Sequence, residues 1–159
     1  MKIDIHFMSH EDKPHITKIL RATPEFKPFE VAVAEELIDS YLEYPSNSGY
    51  HILVAEVDST VTGYICYGST PLTEGTWDLY WMAVSREKQG RGIGSALMKS
   101  AEKEIVRAKG RLAIIETSST PAYEKTRHFH LSQGYEIVAR IPDFYAPGDD
   151  KLILQKRLM

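Results

Sequence analysis

Apolar residues recur along this chain with two periods, and the switches between them predict its elements. Lys2 to Phe7 alternates polar and apolar positions and reads as a first strand, after which Ser9 is placed to cap a helix running to about Leu20. Pro24 and Pro28 break the chain. From Glu30 to Tyr44 the residues Val31, Ala34, Leu37, Ile38, Tyr41 and Leu42 fall at helical spacing, and Pro45 stops that helix. Pro45 to Gly49 is a loop. His51 to Val57 and Val61 to Gly68 are β-branched and aromatic runs that Asp58-Ser59-Thr60 joins as a hairpin. Pro71 to Gly75 is a turn, and Asp78 to Val84 is the next strand.

Ile93, Ala96, Leu97, Ala101, Ile105 and Ala108 then line one face of a helix that Gly110 ends. Leu112 to Thr117 is continuously apolar up to Glu116, as befits a central strand buried on both faces. Two strands around one helix form a right-handed βαβ unit and should run parallel. Thr120 and Pro121 open a helix reaching about Gln133, which Gly134 terminates. Tyr135 to Ile141 and Lys151 to Arg157 are the last strands, with Pro142 to Asp150 as a loop between them. The order βααβββαβαββ predicts an α/β fold with a mixed central sheet flanked by helices, in a single domain over residues 1–159.

The chemistry concentrates between Leu79 and Leu97. An apolar strand ends in Ala83-Val84, five residues from Ser85 to Gln89 follow, and Gly90, Gly92 and Gly94 then open a helix. Glycines free the backbone so that successive N–H groups can converge on one anion, and the helix aims its unpaired first-turn donors at the same place. Arg86, Lys88 and Arg91 add positive charge, so a pyrophosphate suits the loop. No Lys-Ser or Lys-Thr follows the glycines, which excludes a Walker loop. The dinucleotide fingerprint demands a turn straight off the strand within repeated βαβ units, and this chain has one such unit.

Composition narrows the partners. A formal net charge of −3 gives no footprint for nucleic acid, and no apolar run is long enough to span a bilayer. The amino terminus lacks the apolar region of a signal peptide, so a cytoplasmic location is the expectation. The one cysteine, Cys66, excludes an intramolecular disulfide and a cysteine-based metal cluster, and it reads as a core residue.

Gln89-x-x-Gly92-x-Gly94, preceded by a strand ending in Ala-Val, resembles the acyl-coenzyme A motif of the GNAT acetyltransferase superfamily. Phe129 to Tyr135 is similar to the family's segment of an aromatic residue, a tyrosine, three residues and Gly-Phe, and the final hairpin with Phe144 and Tyr145 resembles that of bacterial members and of amino-terminal acetyltransferases. The resemblance covers nearly the whole chain. It implies an N-acetyltransferase that uses acetyl-coenzyme A, without a metal, to acetylate a primary amine by direct attack in a ternary complex. It also implies that the strands Asp78–Val84 and Leu112–Thr117 splay around a bulge. The coenzyme would then lie on Met82, Ala83, Val84, Gln89, Gly90, Arg91, Gly92, Ile93, Gly94 and Ser95.

Amine attack needs a base, and Glu116, at the carboxyl end of a buried parallel strand, is the first candidate. Capping the strand and pairing with a nearby arginine or the solvent is the alternative use of that carboxylate. Asp78 is a weaker candidate. Where the family has a tyrosine, four residues before Gly134, this chain has His130, which could serve as the acid or be a satisfied buried histidine with Tyr145, Tyr123 or water donating instead. His128 should face solvent. Phe144 and Tyr145 are placed to wall the acceptor site, with Trp81 a lesser candidate and Trp77 a core residue. A catalytically silent acyl-coenzyme A sensor or partner subunit is the alternative function. The acceptor class is not legible, and a homodimer is compatible with the sequence.

Overall fold

In the computed structural model, which describes residues 1–159, seven strands form one sheet in the order β1-β2-β3-β4-β5-β7-β6. The strands are β1 (Ile3–Phe7), β2 (His51–Val57), β3 (Thr60–Ser69), β4 (Thr76–Val84), β5 (Leu112–Ser118), β6 (Glu136–Ala146) and β7 (Asp149–Arg157). The helices are α1 (Lys13–Ala22), α2 (Pro28–Glu43), α3 (Ile93–Arg107) and α4 (Glu124–Ser132). β4 and β5 are parallel, as expected of strands joined through a crossover helix, and the other neighbours are antiparallel.

Strand alternation feeds two apolar layers, one on each face of the sheet. Leu53, Ala55 and Val57 point to the side of α3, where Ile93, Leu97, Met98, Ala101 and Ile105 cover them. Ile52 and Val54 point to the side of α1 and α2, against Ile16, Leu20, Val31 and Ile38. Cys66 belongs to this second layer, and burial pushes its thiol up to about 12, so it is an inert core residue as expected. Under α3 the Tyr135 hydroxyl donates to Glu102 Oε2 at 2.7 Å, and Lys156 Nζ stands 3.0 Å from Glu102 Oε1.

Several boundaries differ from the expected ones for local reasons. Pro28 begins α2 instead of breaking the chain before it, because a first-turn proline loses no hydrogen bond. Ser9 caps a short 3-10 turn, His10–Asp12, that precedes α1. Pro121–Tyr123 likewise forms a 3-10 turn ahead of α4. The hairpin after β2 turns on Asp58 and Ser59 alone, at φ 51° and 64°. At the end of α3 it is Lys109, at φ 67°, that takes the left-handed position. Gly110 is needed there because a Cβ would lie 2.6 Å from Trp77 Nε1.

The largest correction concerns Pro142 to Asp150. β6 continues to Ala146 and β7 starts at Asp149, so Phe144 and Tyr145 lie in an extended arm instead of a loop. Between Ile141↔Lys151 and Ala146↔Asp149 the four residues Pro142–Tyr145 face Asp150 alone, and this excursion lifts the aromatic pair out of the ladder. Asp150 closes its base, accepting from Arg140 Nε at 2.5 Å and from the Asp143 N–H at 2.8 Å.

Candidate functional site

The site begins where β4 and β5 part. Their ladder runs only from Thr76↔Leu112 to Leu79↔Ile115. On the β3 side Cys66 faces Trp81 and Tyr67 faces Leu79, so Tyr80 is an extra residue that bulges β4 just past the last parallel pair. Beyond it Tyr80–Val84 and Glu116–Ser118 diverge, leaving a gap in the sheet. The Ser85 N–H donates to Thr62 O at 2.7 Å. By strand alternation Ala83 therefore also bonds toward β3, while Met82 and Val84 turn their backbone groups into the gap.

The connection to α3 leaves a run of backbone donors free. Gln89 Nε2 donates to Val84 O at 3.2 Å and fastens the loop to the strand end. Gly90 and Gly92 adopt φ 76° and 82°, and a Cβ on either would meet nothing within 4 Å. The N–H groups from Gly90 through Ser95 donate to no backbone or side-chain acceptor. Six consecutive free donors at the start of a helix, with exposed Arg86 and Arg91 beside them, fit a phosphate or pyrophosphate group. Gly94 serves another purpose: its Cβ would lie 3.3 Å from Phe129 Cζ, so its absence lets α4 pack on α3. Ser95 Oγ and Gln133 Oε1, 3.3 Å apart, join the same two helices, and Ile93 is buried in the core.

Glu116 is the first β5 residue beyond the paired segment. Ile115 points into the α3 layer, so Glu116 points to the opposite face, where α1 and α2 lie. Its carboxylate is not paired with an arginine: Lys151 Nζ approaches Glu116 Oε2 at 2.8 Å and lies 4.1 Å from the Phe144 ring centroid. Phe144 and Tyr145 meet edge to face at 5.0 Å. Burial, followed by the charges of Glu116, Asp149 and Glu30, pushes the Tyr145 phenol up to about 12. Burial, then Asp78, Tyr50, Cys66 and Glu116, does the same to Tyr80. Both hydroxyls stay protonated near neutrality.

Asp78, Tyr123, Trp77 and His128 lie elsewhere, whereas Trp81 is on the face to which Glu116 points. Asp78 sits in the still-paired part of β4 and accepts from Thr70 Oγ1 at 2.7 Å. Tyr123 donates toward Glu30 Oε2 at 3.3 Å and Glu25 O at 3.2 Å, tying the start of α4 to α2. Trp81 packs edge to face on Phe26 at 5.3 Å, on the α1 and α2 side, and Trp77 packs against the α3 layer. His128 is exposed, as expected.

His130 is 7% exposed and packs edge to face between Phe129 and Tyr135 on the α3 face. Glu116 points to the other face of the sheet. Burial brings its pKa down to about 4, and its Nδ1 has no hydrogen-bond partner. At neutral pH it is a neutral imidazole, not an imidazolium.

Lys151 and Tyr80 escaped the sequence reading. Alternation along β7 places Lys151 on the face opposite buried Leu152, but the pairing of Ser118 with Lys151 joins segments far apart in the chain. Tyr80 looks like any strand residue until the β3 register exposes the bulge.

The family model described as "Acetyltransferase (GNAT) domain" matches residues 48–137, more than half of the chain. An uncharacterized N-acetyltransferase of Methanocaldococcus jannaschii is 32% identical over 107 residues, 65% of this chain and 64% of that one, so the match spans less than two thirds of the relative. A crystal structure from Desulfovibrio desulfuricans, described as an acetyltransferase of the GNAT family, is similar at TM-score 0.95 and 36% identity over 99% of this chain and 100% of that one. The PaiA N-acetyltransferase of Thermoplasma acidophilum, solved in complex with coenzyme A, has a TM-score of 0.77 at 19% identity over 99% of each chain, a likeness of fold alone.

Proposed function

The chain belongs to the GNAT acetyltransferase family, and from that premise we propose that it transfers an acetyl group from acetyl-coenzyme A to a primary amine by direct attack in a ternary complex. The observation that carries this reading is the run of free N–H donors from Gly90 to Ser95 at the mouth of the β4/β5 gap. Acetyl-coenzyme A would supply a thioester-activated acetyl group, and a relative of the same fold was solved with coenzyme A.

This chain's own residues divide the work. Gly90 through Ser95 hold the phosphates through backbone donors, with Arg91 adding charge. Met82 and the Val84 N–H offer strand groups along the gap, where an extended ligand can add to β4. A fixed N–H there also suits a developing oxyanion. An incoming ammonium must lose a proton, and Glu116 is the carboxylate at the gap that takes it. Phe144, Tyr145 and Trp81 wall the acceptor side. Tyr145, whose hydroxyl stays protonated, is the better-placed proton donor, since neutral His130 packs on the α3 face.

The test is mass spectrometry of acetyl transfer from acetyl-coenzyme A to a panel of peptide amino termini, lysine peptides, polyamines and aminoglycosides, with Glu116→Gln alongside. One acetylated class, lost in the variant, supports the reading and names the acceptor. Saturable coenzyme binding without product for any amine would instead make the chain a silent acyl-coenzyme A sensor.

A further inference from the structure

The edge strand β6 is unlike the rest of the sheet. Residues Glu136 to Tyr145 are all exposed, including Ile137 at 49%, Val138 at 47% and Ile141 at 42%. Only β7 pairs with it, so its other edge presents free backbone groups. Leu131, at the end of α4, adds another exposed apolar side chain. Edge strands are usually short or protected by charge. The opposite edge follows that rule: β1 has five residues, carries Asp4 and His6, and packs its apolar Ile3 and Ile5 against the α3 layer. β6 has eleven residues, and between Glu136 and Arg140 it exposes the uncharged Ile137, Val138 and Ala139.

We propose that β6 pairs antiparallel with β6 of a second copy, the two-fold axis passing near Val138 and the pairing running from Glu136 to Arg140. An antiparallel pair of identical strands is self-complementary: each copy offers the same free donors and acceptors, and the sheet continues across the axis. The charges agree with this arrangement. Glu136 and Arg140 stand at opposite ends of the segment, so the axis brings the acidic end of each copy beside the basic end of the other. Arg140 holds Asp150 through Nε alone, and its remaining guanidinium donors are available across the axis. Pro142 has no N–H and cannot extend the ladder. Five residues from each copy make a short ladder, so the dimer dissociates on dilution.

Light scattering on the intact chain should show a mass rising from one chain to two with concentration. Val138→Cys should form a disulfide-linked dimer under mild oxidation, because Cys66 is buried at 1% exposure and cannot compete. Asp4→Cys, on the other edge, should not cross-link. Glu136→Arg should move dimerisation to about tenfold higher concentration, since like charges then face each other. A one-chain mass at every concentration overturns the pairing and leaves the strand to a different protein. A dimer trapped by Asp4→Cys but not by Val138→Cys, or one indifferent to Glu136→Arg, overturns it as well. Acetyl transfer is measured separately, so neither result bears on the other.

Discussion

Lys151 Nζ lies 2.8 Å from Glu116 Oε2 and 4.1 Å from the Phe144 ring centroid, so the carboxylate at the mouth of the gap is occupied by an ammonium of the same chain. A carboxylate and an aromatic face are also what an incoming alkylammonium would seek. Lys151 and the acceptor therefore compete for one place. Glu116→Gln should lower kcat about a hundredfold through loss of the base, with coenzyme affinity unchanged. Lys151→Met should lower KM for cationic amines several-fold and leave coenzyme affinity alone. Steady-state kinetics with calorimetric titration of coenzyme A separates the two effects, and a Lys151→Met variant with unaltered KM would count against competition.

His130 makes folding stability depend on pH. Burial lowers its pKa from 6.5 to about 4, so the folded state resists a proton that the unfolded chain accepts. The stability in question is fully present above pH 6.5 and is lost as pH falls from 6.5 toward 4. The total is about 3 kcal/mol as an upper figure. Thermal melts across that window should show a decline in the wild type that is shallower in His130→Phe, whatever the absolute Tm of the variant. Parallel curves would mean that the imidazole is solvated.

Gly92 tests the anion cradle. Its φ of 82° strains any residue with a Cβ, and the Cβ would project into the open space above the free donors. Gly92→Ala should cost about 1 kcal/mol of folding stability. It should also weaken coenzyme A binding by about tenfold, the equivalent of one charge-assisted hydrogen bond. Chemical denaturation and calorimetry read the two losses independently. Intact affinity in a destabilised variant would place the phosphates elsewhere.

Gly68 tests the packing that supports the β4 bulge. A Cβ there would overlap the Gly49 carbonyl oxygen and lie 3.1 Å from Tyr80 Cε2. Because the first of these is backbone, the loop before β2 must move. Gly68→Ala should cost about 1–3 kcal/mol, as overpacking does. Through Tyr80 it should also disturb the bulge, which a lowered kcat would report together with the Tm.

The sequence by itself determined the elements and their order, because hydrophobic period, proline and glycine act over a few residues. It also determined the glycine loop: Gly90 and Gly92 take left-handed angles and leave six donors free for reasons confined to that loop. Only the tertiary structure decided what surrounds Glu116. Lys151 reaches it because β7 inserts beside β5, and Tyr80 bulges because β3 imposes a register; both are long-range pairings that leave no local signal. The same holds for His130, whose place in the chain suggested an acid. Its burial against Phe129 and Tyr135, not its spacing from Gly134, decides that it is uncharged. Local chemistry is written in neighbouring residues, whereas the charge a side chain carries depends on segments that meet it only after folding.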